Sequence, residues 1–255
     1  MNNNNKWFIT GTVTVILGNL LGFALILGMV WADYEGSLFL PSLMGEKYVV
    51  KNLNCPVLMT RKETREINFT LGNPGEKERS RLLEGMISEG HVKRTREEKR
   101  EVTIEPGEKE KVTWKIYPED AVYERIVLFH VYVWRAYPYP SLEATCGVLV
   151  LDIPFMTGKQ VMGIVLGIFS ILTLGGNTVL LLQYWKDLLG PRRRYVSKAM
   201  FAMSVFTILG IWISFLGYWE FGFFFWFASS SIFVYLAASF LVNRVFGSIL
   251  LPVIL

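Results

Sequence analysis

Four long apolar stretches interrupt the chain. They run from Trp7 to Trp31, Val161 to Trp185, Ala199 to Trp219 and Phe221 to Val242, and they contain no Asp, Glu, Lys, Arg or His. A helix needs about 20 apolar residues to cross a hydrocarbon core of about 30 Å. Tryptophans at the ends of such stretches are typical of the headgroup level of a bilayer. The pattern therefore predicts four membrane-spanning helices.

The segment between the first two stretches has the alternating pattern of half-buried strands. Apolar and polar side chains alternate along residues 66–71 and again along residues 111–116. Further strands are predicted near residues 82–88, 100–104, 125–134 and 145–151, separated by turns rich in Pro and Gly. About seven strands in roughly a hundred residues predict a β-sandwich. The expected fold class is therefore membrane α-helical, with four transmembrane helices, plus an all-β immunoglobulin-like sandwich domain.

Three segments of this region resemble a known family of modules. They are INFTLGN at residues 67–73, IEPGE at residues 104–108 and VTWKI at residues 112–116. Together they resemble the CARDB-type immunoglobulin-like modules of microbial surface proteins, over residues 48–153 only. The sequence DAVY at residues 120–123 resembles the approach to a tyrosine corner, which implies that the Tyr123 hydroxyl bonds back to nearby backbone.

The distribution of charge predicts the orientation of the helices. Lys and Arg number 26 and Asp and Glu 22, a net charge of +4, and only Asp187 and Glu220 of the acidic residues lie outside residues 33–152. The connection after the second stretch carries a basic cluster, Lys186, Arg192, Arg193, Arg194 and Lys198. Because basic connections stay in the cytoplasm, we expect a cell-membrane protein with both chain ends inside and residues about 32–157 outside. A cytoplasmic partner or an acidic ligand is the alternative role for this cluster.

These patterns divide the chain into consecutive segments. The predicted segments are a cytoplasmic N-terminus with the first span at 1–31, a linker at 32–47, the extracytoplasmic β-sandwich at 48–153, the second span at 154–185, the basic loop at 186–198, the third span at 199–219, the fourth span at 220–243, and a cytoplasmic tail at 244–255.

The two cysteines, Cys55 and Cys146, both fall in the predicted outer domain. That distribution fits an oxidising compartment and predicts one structural disulfide. Two thiols without neighbouring histidines do not complete a tetrahedral metal shell, so we expect no metal at this pair.

No motif for catalysis or cofactor binding stands out in the sequence. His91 and His130 are the only histidines, and neither lies beside a Ser, Cys or acidic motif of a known catalytic pattern. We therefore expect no enzymatic activity, no catalytic residues and no cofactor. The basic excess belongs to the apolar part of the chain, which favours an anionic lipid surface over nucleic acid as its partner.

An aromatic set marks the end of the predicted strand at residues 125–134. It comprises Tyr132, Trp134, Tyr137 and Tyr139, and it leads into a Pro-rich turn. Exposed Tyr and Trp on a rigid turn are typical anchors of binding surfaces. These four residues are the candidate site for a protein partner or a glycan.

The apolar stretches contain candidates for helix packing. Gly18 and Gly22, and again Gly163 and Gly167, have the small-xxx-small spacing that permits close helix approach. Asn19 and Asn177 are the deep polar residues, and hydrogen bonds between helices are the expected role of both. These glycines predict packing of the first two spans on each other, or a homo- or hetero-oligomeric seam.

Two functions remain open on this evidence. The first is a non-enzymatic multi-pass membrane protein whose disulfide-bonded outer domain binds or positions a partner. The second is an accessory subunit of a membrane transport or export complex, in which the spans do the recognising.

Overall fold

The computed structural model describes residues 3–39, 50, 52–91, 94–135, 140–186 and 189–250. In this part of the chain the helices are α1 (Asn3–Phe39), α2 (Gly158–Trp185), α3 (Pro191–Phe215) and α4 (Trp219–Leu250). The strands are β1 (Leu58–Thr60), β2 (Arg65–Gly72), β3 (Arg79–Ser88), β4 (Thr95–Ile104), β5 (Lys109–Ile116), β6 (Ile126–Val133) and β7 (Leu142–Leu151).

The chain forms two compact units. One comprises Met1–Val30 and Gly163–Leu255, and we call it the helical unit. The other comprises Trp31–Met162, and we call it the sheet unit.

The helical unit confirms the prediction of four apolar helices. All four are long enough and apolar enough to cross a membrane by length and composition. Its interior cluster includes Val15 of α1, Leu180 of α2, and Met200 and Met203 of α3. The four apolar stretches of the sequence therefore correspond to four helices of the structure.

The helix boundaries differ from the predicted ones, because hydrogen bonding continues past the apolar residues. Helix α3 begins at Pro191, which suits the first position of a helix since its missing N–H has no helical partner there. Most of the predicted basic loop is therefore helical. Helix α4 starts at Trp219, after the turn at Gly217 with φ 83°, and runs to Leu250 through much of the predicted tail.

The sheet unit contains two sheets. The larger has the strand order β1-β7-β6-β3-β4, and the smaller pairs β2 with β5. β1 runs parallel to β7, whereas the other pairs are antiparallel. β4 is an edge strand of the larger sheet, and its many charged side chains of both signs discourage pairing with another chain.

One apolar core draws side chains from both sheets. The alternation predicted for β2 and β5 is confirmed, since Ile67, Phe69, Val112 and Trp114 are all buried there. The Trp114 ring stacks on Phe69 with centroids 5.7 Å apart. Gly85 of β3 lies against the Trp114 indole, and a side chain at this position would collide with that ring.

Helix α1 continues beyond its apolar stretch and packs on the larger sheet. Ala32 and Phe39 contact the apolar side chains at the start of β6. Gly36 and Gly147 allow helix backbone and strand backbone to touch, since a Cβ at either would collide with backbone of the other element. The predicted linker at 32–47 is therefore wrong for residues 32–39, and its remainder lies outside the described residues.

The prediction of an all-β immunoglobulin-like sandwich is wrong. The larger sheet is mixed, since β1 joins it in parallel, and a helix covers part of its outer face. The fold is closer to α/β than to an all-β domain. The strands themselves were predicted correctly apart from β1, but alternation along a strand does not specify its neighbours or what covers its second face.

The predicted tyrosine corner is also wrong. Tyr123 is 71% exposed and, with Glu124, has a positive φ, 53° and 58° respectively. The two residues form the centre of a tight turn, closed by the Arg125 N–H donating to the Val122 carbonyl at 3.0 Å. Such a type I′ geometry favours Gly or Asn and strains other side chains.

Asp120, which lies just before this turn, stabilises the local structure through its side chain. Its Oδ2 accepts hydrogen bonds from the Tyr117 N–H at 2.8 Å and from Arg96 Nη2 at 2.9 Å. Burial raises the pKa of the Asp120 carboxyl, while the Tyr117 N–H and the Arg96 charge oppose that change.

The predicted disulfide between Cys55 and Cys146 is confirmed. It links the segment before β1 to β7, with a sequence separation of 91 residues. In the chain-entropy model, a loop of this length stabilises the folded unit by about 4 to 5 kcal/mol.

We predict that Tyr123→Gly raises the free energy of unfolding of the sheet unit by about 0.5 to 1 kcal/mol. Glycine relieves the left-handed strain, and its larger unfolded-state entropy offsets part of the gain. The measurement is the denaturant midpoint of the full chain in detergent, followed by pulse proteolysis.

Gly107→Ala is the matched control. Gly107 has φ 76° and a Cβ there would meet nothing within 4 Å, so strain alone should destabilise this variant by about 1 kcal/mol. A lower midpoint for Tyr123→Gly would show that contacts of the tyrosine ring outweigh the strain.

Candidate functional site

One face of the larger sheet carries a row of polar and charged side chains. Glu84 of β3 pairs with Tyr132 of β6, and Tyr132 pairs with Glu143 of β7. Directly paired residues point to the same face of a sheet, so these three side chains share it. His130 lies two positions before Tyr132 in β6, and Trp134 lies two positions after it, directly beyond the end of β6, so both point to this face as well. We call this surface the Trp134 face, defined by Glu84, Lys99, His130, Tyr132, Trp134 and Glu143.

Trp134 is the exposed end of this face and is held in place. Its side chain is 46% exposed, and its ring meets the Tyr132 ring edge-on with centroids 4.9 Å apart. The indole Nε1–H donates to Glu84 Oε2 at 3.1 Å. Arg81 fixes the backbone by donating to the carbonyls of Trp134 at 3.2 Å and Pro140 at 2.7 Å. The indole is therefore an oriented aromatic surface.

Glu84 is a buried carboxylate with two donors. Its Oε2 accepts from Trp134, and Lys99 of β4 lies 3.0 Å from its Oε1. The hydrogen bond to Glu84, followed by the charge of that carboxylate, raises the pKa of the Lys99 ammonium. The Lys99 side chain remains 57% exposed, so it presents a positive charge beside the indole.

His130 and Glu143 lie deeper on the same face. They are 4% and 6% exposed, and His130 Nε2 is 3.7 Å from Glu143 Oε2. His130 points to one face of its strand, as predicted from the sequence. Both side chains are buried, so we assign them a structural role on this face.

The arrangement offers the chemistry of recognition. It combines an exposed indole, a fixed carboxylate and an exposed ammonium group, which supply contact area and hydrogen bonds in one place. In the described part of the chain, no group of three or more His, Cys, Asp or Glu side chains is arranged to hold a metal ion.

The structure brings together part of the predicted aromatic set. Tyr132 and Trp134 are in contact, while Tyr137 and Tyr139 lie outside the described residues. Glu84 was missed from the sequence. The signal for Glu84 was an acidic residue inside the apolar strand LLEGMI, where a carboxylate requires a partner.

The two predicted asparagines meet in the interior of the helical unit. Asn19 Nδ2 and Asn177 Nδ2 both donate to Ser204 Oγ, at 3.1 and 2.9 Å. Thr207 Oγ1 donates to Asn19 Oδ1 at 2.7 Å and lies 2.8 Å from Ser229 Oγ. Each of the four helices contributes to this cluster, which we call the polar layer. Ser204 and Thr207 were not predicted from the sequence.

The four predicted packing glycines behave differently. Gly18 lies against Thr173 of α2, and Gly22 lies against Phe169 of α2 and Thr207 of α3. In the described part of the chain, a Cβ at Gly163 or Gly167 would meet nothing within 4 Å. The first pair therefore packs helices within the chain, whereas the structure does not bring the second pair to α1.

The basic cluster lies mostly on the first turns of α3. Arg193 donates to Asn5 Oδ1 at 2.6 Å. Arg194 and Lys198 both approach the Tyr184 ring, at 5.7 and 5.6 Å from its centroid. Lys186 follows α2 directly, and the Arg192 side chain lies outside the described residues.

Comparisons with known proteins give no family for this chain. No family model matches the sequence, and no curated protein matches it.

Two similar solved structures are β-glucosidases. One, from Listeria innocua in complex with glucose, has a TM-score of 0.30 and 14% identity over 40% of this chain and 16% of that chain. Another, from Erythrobacter marinus, has a TM-score of 0.25 and 16% identity over 36% of this chain and 14% of that chain. At these TM-scores the similarity indicates neither a shared fold nor a shared activity.

We predict that Asn19→Leu destabilises the helical unit by about 1 to 3 kcal/mol, because Ser204 and Thr207 lose buried partners. Thr178→Val is the control, since Thr178 is exposed and its hydroxyl donates to the Leu174 carbonyl of its own helix. The measurement is unfolding in mixed detergent micelles, and equal effects of the two substitutions would contradict a stabilising role for the polar layer.

Proposed function

We propose that the chain is a multi-pass membrane protein that holds the sheet unit outside the cytoplasm as a recognition module without enzymatic activity. Four helices of suitable length and composition support the membrane location. The disulfide supports an oxidising compartment for the sheet unit. The basic cluster at the start of α3 favours the cytoplasm for that end of the helix, and with it both ends of the chain.

The single observation that carries the recognition role is the exposed and oriented Trp134. Burying a large aromatic ring contributes strongly to binding, and a ring already fixed by Glu84 and Tyr132 loses little entropy when a partner covers it. Lys99 adds a charged group at the rim. A protein surface or a glycan is the partner class that suits these groups.

The test is photo-crosslinking in cells from a reactive residue at position 82, an exposed leucine whose carbonyl accepts the Trp134 N–H at 2.9 Å, so that Lys99 stays in place. We expect capture of a discrete partner, and we expect Trp134→Ala to weaken binding of that partner by about 30-fold, as for a central aromatic anchor. A glycan array probed with the purified full chain covers a carbohydrate partner.

Tyr123→Ala is the matched control, because Tyr123 is a more exposed aromatic at the other end of the sheet. An intact disulfide and unchanged protease resistance would show that each variant folds. Equal binding by Trp134→Ala and Tyr123→Ala would refute the recognition role of Trp134.

A second candidate function is that of an accessory subunit in a membrane transport or export complex. An exposed face of α2 favours this second function. Gly163 and Gly167 lie on this face. Its neighbouring apolar residues, which are also exposed, are Ile164, Ile168 and Ile171. Small residues flanked by isoleucines allow another helix to approach closely.

We predict that replacing both Gly163 and Gly167 by Leu dissociates such an assembly while the chain itself still folds, because a Cβ at either position meets no described atom of the chain within 4 Å. The measurement is the mass of the crosslinked species in mild detergent. Leu209→Ala, at an exposed position of α3, is the control. A chain that stays monomeric before any substitution would exclude this second function.

A further inference from the structure

A lateral groove of about 510 Å³ opens between α3 and α4 in the helical unit. Its lining residues are Tyr195, Lys198, Ala199, Ser231, Ile232 and Tyr235. Tyr195 and Tyr235 are 56% and 57% exposed. Ala199 and Ile232 give the groove an apolar wall. The groove therefore combines hydroxyl groups, one ammonium group and a hydrocarbon surface.

The surroundings of this groove are strongly positive. Lys198 lines it, and Arg194 shares the Tyr184 ring with Lys198. Arg193 lies on the same helical turn as Arg194. In the sequence from residue 153 to residue 219, Asp187 is the one acidic residue. A ligand at this place therefore meets a net positive field that favours an anion.

We propose that this groove binds an anionic phospholipid, with an acyl chain along Ala199 and Ile232 and the headgroup phosphate at Lys198. The tyrosine hydroxyls donate to phosphate oxygens, and the ammonium group neutralises their charge. Basic sites between helices near the cytoplasmic surface suit such headgroups. A zwitterionic lipid has the same acyl chains but no net charge. The positive charges around the groove therefore favour an anionic lipid over a zwitterionic one. This inference rests on the proposed membrane location.

The experiment is native mass spectrometry of the full chain, released from nanodiscs that contain equal amounts of phosphatidylglycerol and phosphatidylcholine. We expect the chain to retain phosphatidylglycerol in preference to phosphatidylcholine. Lys198→Gln should reduce that preference about fivefold, as expected for one basic residue at an anionic lipid. The double variant Tyr195→Phe, Tyr235→Phe should also reduce it, since it removes two donors and no charge.

Lys186→Gln is the matched control, because it removes the same charge outside the groove lining. We expect this variant to keep the preference for phosphatidylglycerol. Equal losses in Lys186→Gln and Lys198→Gln would overturn the proposed site and leave only a general attraction of the basic cluster for anionic lipid.

The outcomes separate this inference from the function on which it rests. A chain that enters nanodiscs but retains both lipids equally would overturn the groove as a site and leave the membrane location intact. A chain that does not enter nanodiscs at all would overturn both.

Discussion

Buried polar groups must find their hydrogen bonds within the chain, and this constraint shapes both units. In the helical unit, Asn19 and Asn177 converge on one serine hydroxyl, so that the helices are joined at a specific point rather than by apolar contact alone. In the sheet unit, Glu84 obtains one donor from Lys99 of β4 and the other from Trp134, which directly follows β6. Because unpaired polar groups are costly in an apolar surrounding, these contacts select one packing among the many that apolar side chains permit.

Much of the secondary structure could be predicted from the sequence, because its periodicities are strong. The apolar stretches correspond to helices, and the alternation in β2 and β5 gives the correct inward-facing residues. The alternating pattern did not predict how the sheets are arranged. The reason is that other parts of the chain cover both faces of the larger sheet in part. Glu84 and Glu143 occupy positions that alternation assigns to solvent, yet they are 7% and 6% exposed. Hydropathy also predicted that the first helix ends at Trp31. The helix continues to Phe39 because its last residues pack on the sheet, and such tertiary contacts are not visible in hydropathy.

The candidate site was predicted only in part for a similar reason. Trp134 and Tyr132 were identified as aromatic residues near a turn, which is a local signal. Their partners Glu84 and Lys99 come from β3 and β4, and sheet registers cannot be read from one sequence. The site depends on those partners, because the carboxylate fixes the direction of the indole. An aromatic anchor therefore becomes informative only when the strands that orient it are known.

The pairing of β1 with β7 has a consequence for how the sheet unit is made. β1 is the first and β7 the last of the described strands, and they are neighbours in the larger sheet. During synthesis, β1 has no partner until residue 151 has left the ribosome, so the sheet cannot be completed strand by strand from its N-terminal end. Such non-local pairing is slow and leaves edges open while the chain grows. The bond between Cys55 and Cys146 joins the same two regions, so this disulfide can form only after the last strand has been made.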